Sequence, residues 1–181
     1  TVPYLLAMFL AVSVLAMPYQ YLLPVFAADV LQVGEVGLGW MMTAVGLGAV
    51  AGSLWVAGRG DFRRKGVLLL ALASIFGVSL LLLSFSRVFP LSLAVLLGVG
   101  VGNMGYLAVN QTLLQTHTPQ ELRGRVSSLS LFSFGLASLG VLGFSAVAEA
   151  WGAPLAVGLG GGSLLVLVLA STLHPRWRRL G

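Results

Sequence analysis

Six long stretches of the chain carry no charged residue, and short charged segments separate them. The stretches cover residues 1–28, 36–58, 66–86, 88–120, 126–148 and 150–175. A helix needs about 20 apolar residues, each rising 1.5 Å, to cross roughly 30 Å of hydrocarbon. Every stretch is long enough. Lipid offers the backbone no hydrogen-bond partner, and the stretches lack the alternation of a β-barrel, so transmembrane helices are predicted.

The predicted fold class is an all-α integral membrane protein with one six-helix transmembrane bundle over residues 1–175. Its helices are expected at about 3–28, 36–58, 67–86, 90–116, 126–149 and 155–173, and a basic tail follows at 176–181. Short loops make sequence neighbours antiparallel neighbours in space. The first stretch is not read as a cleaved signal peptide, because it lacks a basic leader and contains Pro18 and Pro24.

Composition supports the membrane assignment. Only 8% of the residues are charged and 58% are hydrophobic, whereas an ordinary soluble domain is about 25% charged. The chain has no cysteine, which excludes disulfides and thiol chemistry. The net charge of +5 does not indicate nucleic-acid binding, because the basic residues form short clusters between apolar stretches, as in membrane loops.

The distribution of basic residues predicts the orientation. Nine of the ten fall on one side of the predicted bundle: Arg59, Arg63, Arg64, Lys65, Arg123, Arg125, Arg176, Arg178 and Arg179. Only Arg87 falls on the other side. The positive-inside rule then places both termini in the cytoplasm, and we expect a multi-pass protein of the plasma membrane, in bacteria the inner membrane.

Uncharged polar residues within the predicted helices are the candidates for a substrate cavity. They are Tyr19, Gln20, Asn103, Tyr106, Asn110 and Gln111. The first two follow Pro18, which interrupts helical hydrogen bonding. Asn103, Tyr106 and Asn110 share one face of the predicted fourth helix, with Gln111 beside it. Amides are costly in hydrocarbon, so these side chains either hydrogen-bond between helices or line an aqueous cavity, and both alternatives remain open.

Sequence features that suggest other chemistry have simpler explanations. The GxGxxG pattern at 100–105 lies inside a membrane stretch, without the strand and acidic residue of a dinucleotide site. Glycine pairs at GxxxG spacing, such as Gly48 and Gly52, are typical of close helix packing in lipid. The chain contains neither a P-loop nor a nucleophile–base pair, so we expect no cofactor, no metal and no enzymatic activity.

Two loops between the predicted helices carry recognisable motifs. GRGDFRRKG at 58–66, with Asp61 as its acid and Arg63, Arg64 and Lys65 as its basic run, is similar to a degenerate copy of the loop signature of the major facilitator superfamily. TPQELRGRV at 118–126 resembles the loop between the tenth and eleventh helices of the drug- and siderophore-exporter branch. The resemblance implies the C-terminal half of a twelve-helix fold, with Asp61, Arg123 and Arg125 at the cytoplasmic gate.

The resemblance also implies the function. We expect a secondary transporter that exports small amphipathic molecules by alternating access, with substrate bound near the midplane between two halves. The expected partners are the lipid bilayer, a small-molecule solute and an N-terminal six-helix half missing from this chain, which does not begin with methionine. A non-transporting six-helix scaffold or a truncated remnant is the alternative. Every acid lies at a predicted helix end or in a loop, so a proton-coupling carboxylate would reside in the other half.

Overall fold

The computed structural model of the protein describes residues 2–58 and 65–172, except for the side chains of Arg123 and Phe134. Within this part of the chain there is no strand, and six helical spans are long and apolar enough to cross a membrane: Val2–Val30, Gly34–Ala57, Lys65–Phe85, Phe89–His117, Gln120–Trp151 and Ala153–Thr172. The predicted all-α membrane fold class is confirmed.

The first span is divided into three pieces and the others are nearly continuous. The elements are α1 (Val2–Leu15), α2 (Tyr19–Val25), a π-helical turn (Phe26–Val30), α3 (Gly34–Ala57), α4 (Lys65–Phe85), α5 (Phe89–His117), a 3-10 turn (Gln120–Leu122), α6 (Arg123–Trp151) and α7 (Ala153–Thr172). Gly152 ends α6 at a φ of 93°, a backbone conformation that glycine adopts without steric cost, and α7 begins at the next residue.

The start of α6 differs from the expected bound of 126. The helix already begins at Arg123, so Arg123 and Arg125 belong to its first turn. A charged residue interrupts a hydrophobic stretch in the sequence, but it does not interrupt a helix. Long basic side chains at a helix end can keep their charged groups in water while the backbone remains helical.

Close backbone contacts at glycines hold the bundle together. α3 packs mainly along α5, α5 also packs on α4, and α4 packs on α7. A side chain at Gly48 of α3 would collide with the Leu97 carbonyl of α5, and one at Gly100 of α5 would collide with the Val45 carbonyl of α3. Because lipid is as apolar as leucine, such close approach is a main source of helix association in membranes.

The buried interior lies around α4 and α5, and α6 contributes little to it. Phe76, Leu80 and Tyr106 are among the largest fully buried side chains. Among the described side chains of α6, only Ser130, Ser133 and Gly140 are buried. Large apolar side chains of α6 are instead exposed on the bundle surface: Leu131, Phe132, Leu139 and Leu142. The described buried positions of this helix are thus all small residues, while Phe144 and Val147 pack against the core only partly buried.

The reciprocal α3–α5 contact yields a testable prediction. Gly48→Ala should lower the apparent unfolding temperature in detergent, because the added methyl group meets backbone atoms that cannot move aside. Overpacking typically costs about 1–3 kcal/mol, and in a chain of this size each kcal/mol corresponds to about 2–4 °C.

Gly46→Ala is the matched control on the same helix. A side chain at Gly46 meets nothing within 4 Å, and alanine favours a helix over glycine by about 1 kcal/mol in soluble hosts. The control should be neutral or slightly stabilising. Equal effects of the two substitutions would contradict the packing described for α3 and α5.

Candidate functional site

The candidate site begins at the interruption between α1 and α2. Pro18 has no amide hydrogen, so it cannot donate to the Val14 carbonyl four residues earlier. The following amides of Tyr19, Gln20 and Tyr21 donate to carbonyls three residues back, at 3.1 to 3.3 Å, before the α-helical pattern resumes. The chain therefore turns more tightly here, and α2 restarts at Tyr19.

Two glycines from other helices cover the carbonyl groups at this interruption. A side chain at Gly140 of α6 would collide with the Val14 carbonyl and approach Pro18 Cγ to 3.2 Å. A side chain at Gly160 of α7 would come within 2.8 Å of the Leu15 carbonyl. The Cα atoms of these glycines can therefore approach the carbonyl oxygens at the interruption. Cα–H···O contacts of this kind recur at helix–helix interfaces.

Tyr19, the first residue of α2, is fixed by contacts with two further helices. Its ring meets Phe76 of α4 edge to face, with centroids 5.7 Å apart and planes at 78°. The Gln20 amide Nε2 donates to its hydroxyl at 3.4 Å, and Asn103 of α5 lies within hydrogen-bonding reach of the same hydroxyl. Tyr19 and Asn103 are buried, whereas Gln20 is exposed. The hydroxyl therefore organises a small cluster of uncharged polar groups.

Two members of this polar cluster, Tyr19 and Gln20, line an open cleft of about 200 Å³ between α2 and α3. Its lining residues are Tyr19, Gln20, Leu23, Met42 and Val45. The cleft is thus polar at Tyr19 and Gln20 and apolar along the other three residues. Met42 and Val45 could not be identified from the sequence, because nothing distinguishes them from the other apolar residues of α3. Only the fold places them in the same cleft as Gln20.

The remaining three cavity candidates lie elsewhere. Tyr106 and Asn110 are buried inside the bundle, where the Asn110 amide Nδ2 donates to the Tyr106 hydroxyl at 3.3 Å. Gln111 lines a separate opening of only about 10 Å³ at the junction of α5 and α6, together with Gln115, Thr118 and Ser127 among others. The structure therefore brings together Tyr19, Gln20 and Asn103, whereas Tyr106, Asn110 and Gln111 are not among the residues that line the cleft.

The candidates for the gate are only partly described. Asp61 lies outside the described residues, as does the side chain of Arg123. Arg125 is exposed in the first turn of α6. The assignment of these three residues to a gate stays a prediction.

The packing of Gly140 on the interruption between α1 and α2 gives a second testable prediction. Gly140→Ala should lower the apparent unfolding temperature by several degrees, at about 2–4 °C per kcal/mol, because the methyl group would push α6 away from the Val14 carbonyl and Pro18. Gly143→Ala, one turn along the same helix, is the control, since a side chain there meets nothing within 4 Å. If the Gly140→Ala and Gly143→Ala variants had the same apparent unfolding temperature, α6 would not pack against the interruption between α1 and α2.

Comparisons with known proteins identify the family. A family model of the major facilitator superfamily, described as transmembrane secretion effector, matches residues 5–178. The multidrug efflux pump Tap of Mycolicibacterium fortuitum is 27% identical over 147 residues, which are 79% of this chain and 35% of that protein. The chain thus spans about a third of the length of this relative. No solved structure matches the chain significantly. The family match covers nearly the whole chain, which therefore belongs to the transmembrane secretion effector family of the major facilitator superfamily.

Proposed function

We propose that this chain is the C-terminal six-helix half of a secondary transporter that exports small amphipathic molecules by alternating access. The observation that carries the proposal is the cleft at the interruption of the first span. Discontinuous helices are frequent at substrate sites of secondary transporters, because irregular backbone at membrane depth is tolerated where it is buried in protein or lines a cavity.

The lining of the cleft suits an amphipathic solute. Gln20 and Tyr19 offer hydrogen-bond donors and acceptors at one end, and Leu23, Met42 and Val45 offer an apolar wall. No charged side chain is among these five lining residues. This part of the cleft would therefore bind a neutral hydrogen-bonding group, such as a carbonyl or hydroxyl, with an adjoining apolar body. The relative named as a multidrug efflux pump supports export as the direction of transport.

A second six-helix half is the proposed partner. The large apolar side chains exposed on α6, such as Leu131 and Leu142, require lipid or another helix against them. In this proposal the other half completes the substrate site, and Asp61, Arg123 and Arg125 meet it at the cytoplasmic gate. The acids of the described residues, Asp29, Glu35, Glu121 and Glu149, are all exposed and lie at or near helix ends. A coupling carboxylate at membrane depth would then belong to the other half.

Tyr19→Phe tests the cleft in the intact transporter. The substitution keeps the ring on Phe76 but removes the hydroxyl that Gln20 and Asn103 approach. A neutral hydrogen bond contributes about 0.5–1.5 kcal/mol, so we expect the half-saturating concentration of a transported solute to rise about 2- to 10-fold. The measurement is concentration-dependent efflux of fluorescent amphipathic dyes from cells or proteoliposomes.

Tyr21→Phe is the matched control, since Tyr21 is 66% exposed and does not line the cleft. It should leave efflux unchanged. If both variants transported like the wild type, the cleft would not be the substrate site. If the wild type moved no dye or other amphipathic solute, the proposal of export itself would be wrong.

The proposed orientation has its own test. This chain contains no cysteine, so single cysteines at Arg87 and Arg125, both exposed, can report sidedness. With any cysteine elsewhere in the protein replaced, a membrane-impermeant maleimide should label Arg87→Cys in intact cells. It should label Arg125→Cys only after permeabilisation. The reverse pattern would invert the topology.

A further inference from the structure

The residues that line the cleft between α2 and α3 differ in how firmly the bundle holds them. Tyr19 and Leu23 are buried, and the Tyr19 ring packs on Phe76. Gln20 and Met42 are exposed, and Met42 keeps 52% of its surface accessible. The lining of the cleft therefore combines a fixed part with two side chains that are not enclosed.

Met42 is the apolar lining residue that can change its shape most easily. Methionine is unbranched, with three rotatable bonds and a polarisable sulfur, so it adapts to irregular spaces. Val45 lies one turn further along α3 and is branched at Cβ, so it has one strongly preferred χ1 rotamer in a helix. Gln20 is also unbranched, but its amide donates to the Tyr19 hydroxyl at 3.4 Å. Adaptation of the apolar part of the cleft thus falls to Met42.

The size of the cleft makes such adaptation necessary for larger solutes. The volume is about 200 Å³, whereas pockets for drug-sized ligands measure about 300–1,000 Å³. A larger solute must either extend out of the open cleft or displace part of its lining. Displacing Tyr19 would break its contact with Phe76. A new rotamer of Met42 would disturb less packing, because half of its surface is already accessible.

We propose that Met42 determines the size range of the solutes that the cleft accepts, by changing its rotamer to admit larger ones. The inference rests on the proposed function, because it takes the cleft to be a substrate site. It also describes the class of solute: neutral molecules with one hydrogen-bonding group for Tyr19 and Gln20 and an apolar body of variable size.

Two isomeric substitutions separate the flexibility of Met42 from its volume. Leucine and isoleucine contain the same atoms, but only isoleucine is branched at Cβ and stiff at χ1. Forcing a stiff side chain away from its rotamer weakens binding about 2- to 10-fold. We expect Met42→Ile to raise the half-saturating concentration of a bulky solute by this factor relative to Met42→Leu, and that of a small solute by less.

The measurement is concentration-dependent efflux from proteoliposomes that contain the intact transporter. Nile red serves as the bulky dye and a dialkylaminocoumarin as the small one, since both are neutral and carry a carbonyl acceptor. Leu47→Ile is the control for a β-branched residue on the same helix, because Leu47 is exposed and does not line the cleft. The control should leave the efflux of both dyes unchanged.

Met42→Ala provides a second variant in case Met42→Ile folds poorly. Removal of the side chain leaves more space without any rotamer change. The ratio of the half-saturating concentration for Nile red to that for the coumarin should therefore fall in Met42→Ala and rise in Met42→Ile. A change of this ratio in the same direction in both variants would overturn the proposal.

The variants also separate this inference from the proposed function. If Tyr19→Phe impaired efflux but Met42→Leu and Met42→Ile behaved alike with both dyes, Met42 would not select solutes by size, and the cleft would remain the proposed substrate site. If neither Tyr19→Phe nor any Met42 variant changed efflux, the cleft itself would be the wrong site. A wild-type protein that moved neither dye would count against both proposals.

Discussion

Hydrocarbon provides no hydrogen-bond partner, so a carbonyl that loses its helical donor in a membrane span must be accommodated by another helix. Pro18 creates this requirement for the Val14 carbonyl in the middle of the first span. Because Gly140 of α6 has no side chain, its backbone can lie directly against the Val14 carbonyl. Gly160 of α7 lies against the Leu15 carbonyl in the same way. The interruption that positions Tyr19 and Gln20 thus depends on small residues more than 100 positions away in the sequence.

Glycines and other small residues are also found where other helices of the bundle meet. Across α3 and α5, Gly48 and Gly100 each face a carbonyl of the other helix, so the two helices interlock. α6 has only the small residues Ser130, Ser133 and Gly140 at its described buried positions, and larger side chains such as Phe144 pack against the core partly buried. A displacement of α3 along α5 would have to pass the backbone contacts at Gly48 and Gly100. The cleft lies beside the interlocked helix α3 and the interrupted first span.

The charge pattern was sufficient to predict six helices, because charges are excluded from long membrane stretches whatever the packing. It could not predict that α6 begins at Arg123, since a helix continues past a charge that can reach water. Helical periodicity correctly placed Asn103, Tyr106 and Asn110 on one buried face. Periodicity could not show that Asn103, rather than the other two residues, lies near the Tyr19 hydroxyl. That contact depends on where Pro18 and Phe76 place Tyr19. Met42 carries no signal in the sequence at all.

Polar residues in a membrane bundle serve either structure or recognition, and their surroundings separate the two roles. Asn110 is enclosed by helices, so its hydrogen bonds can only be internal. Gln20 is exposed in a cleft that apolar side chains also line, so in the proposed transporter its remaining donors and acceptors would be available to a solute. Tyr19 belongs to both groups: its ring is packed on Phe76, while its hydroxyl meets Gln20 at the cleft. A rigid aromatic anchor of this kind lets the first span be interrupted while the polar end of the cleft keeps a defined geometry.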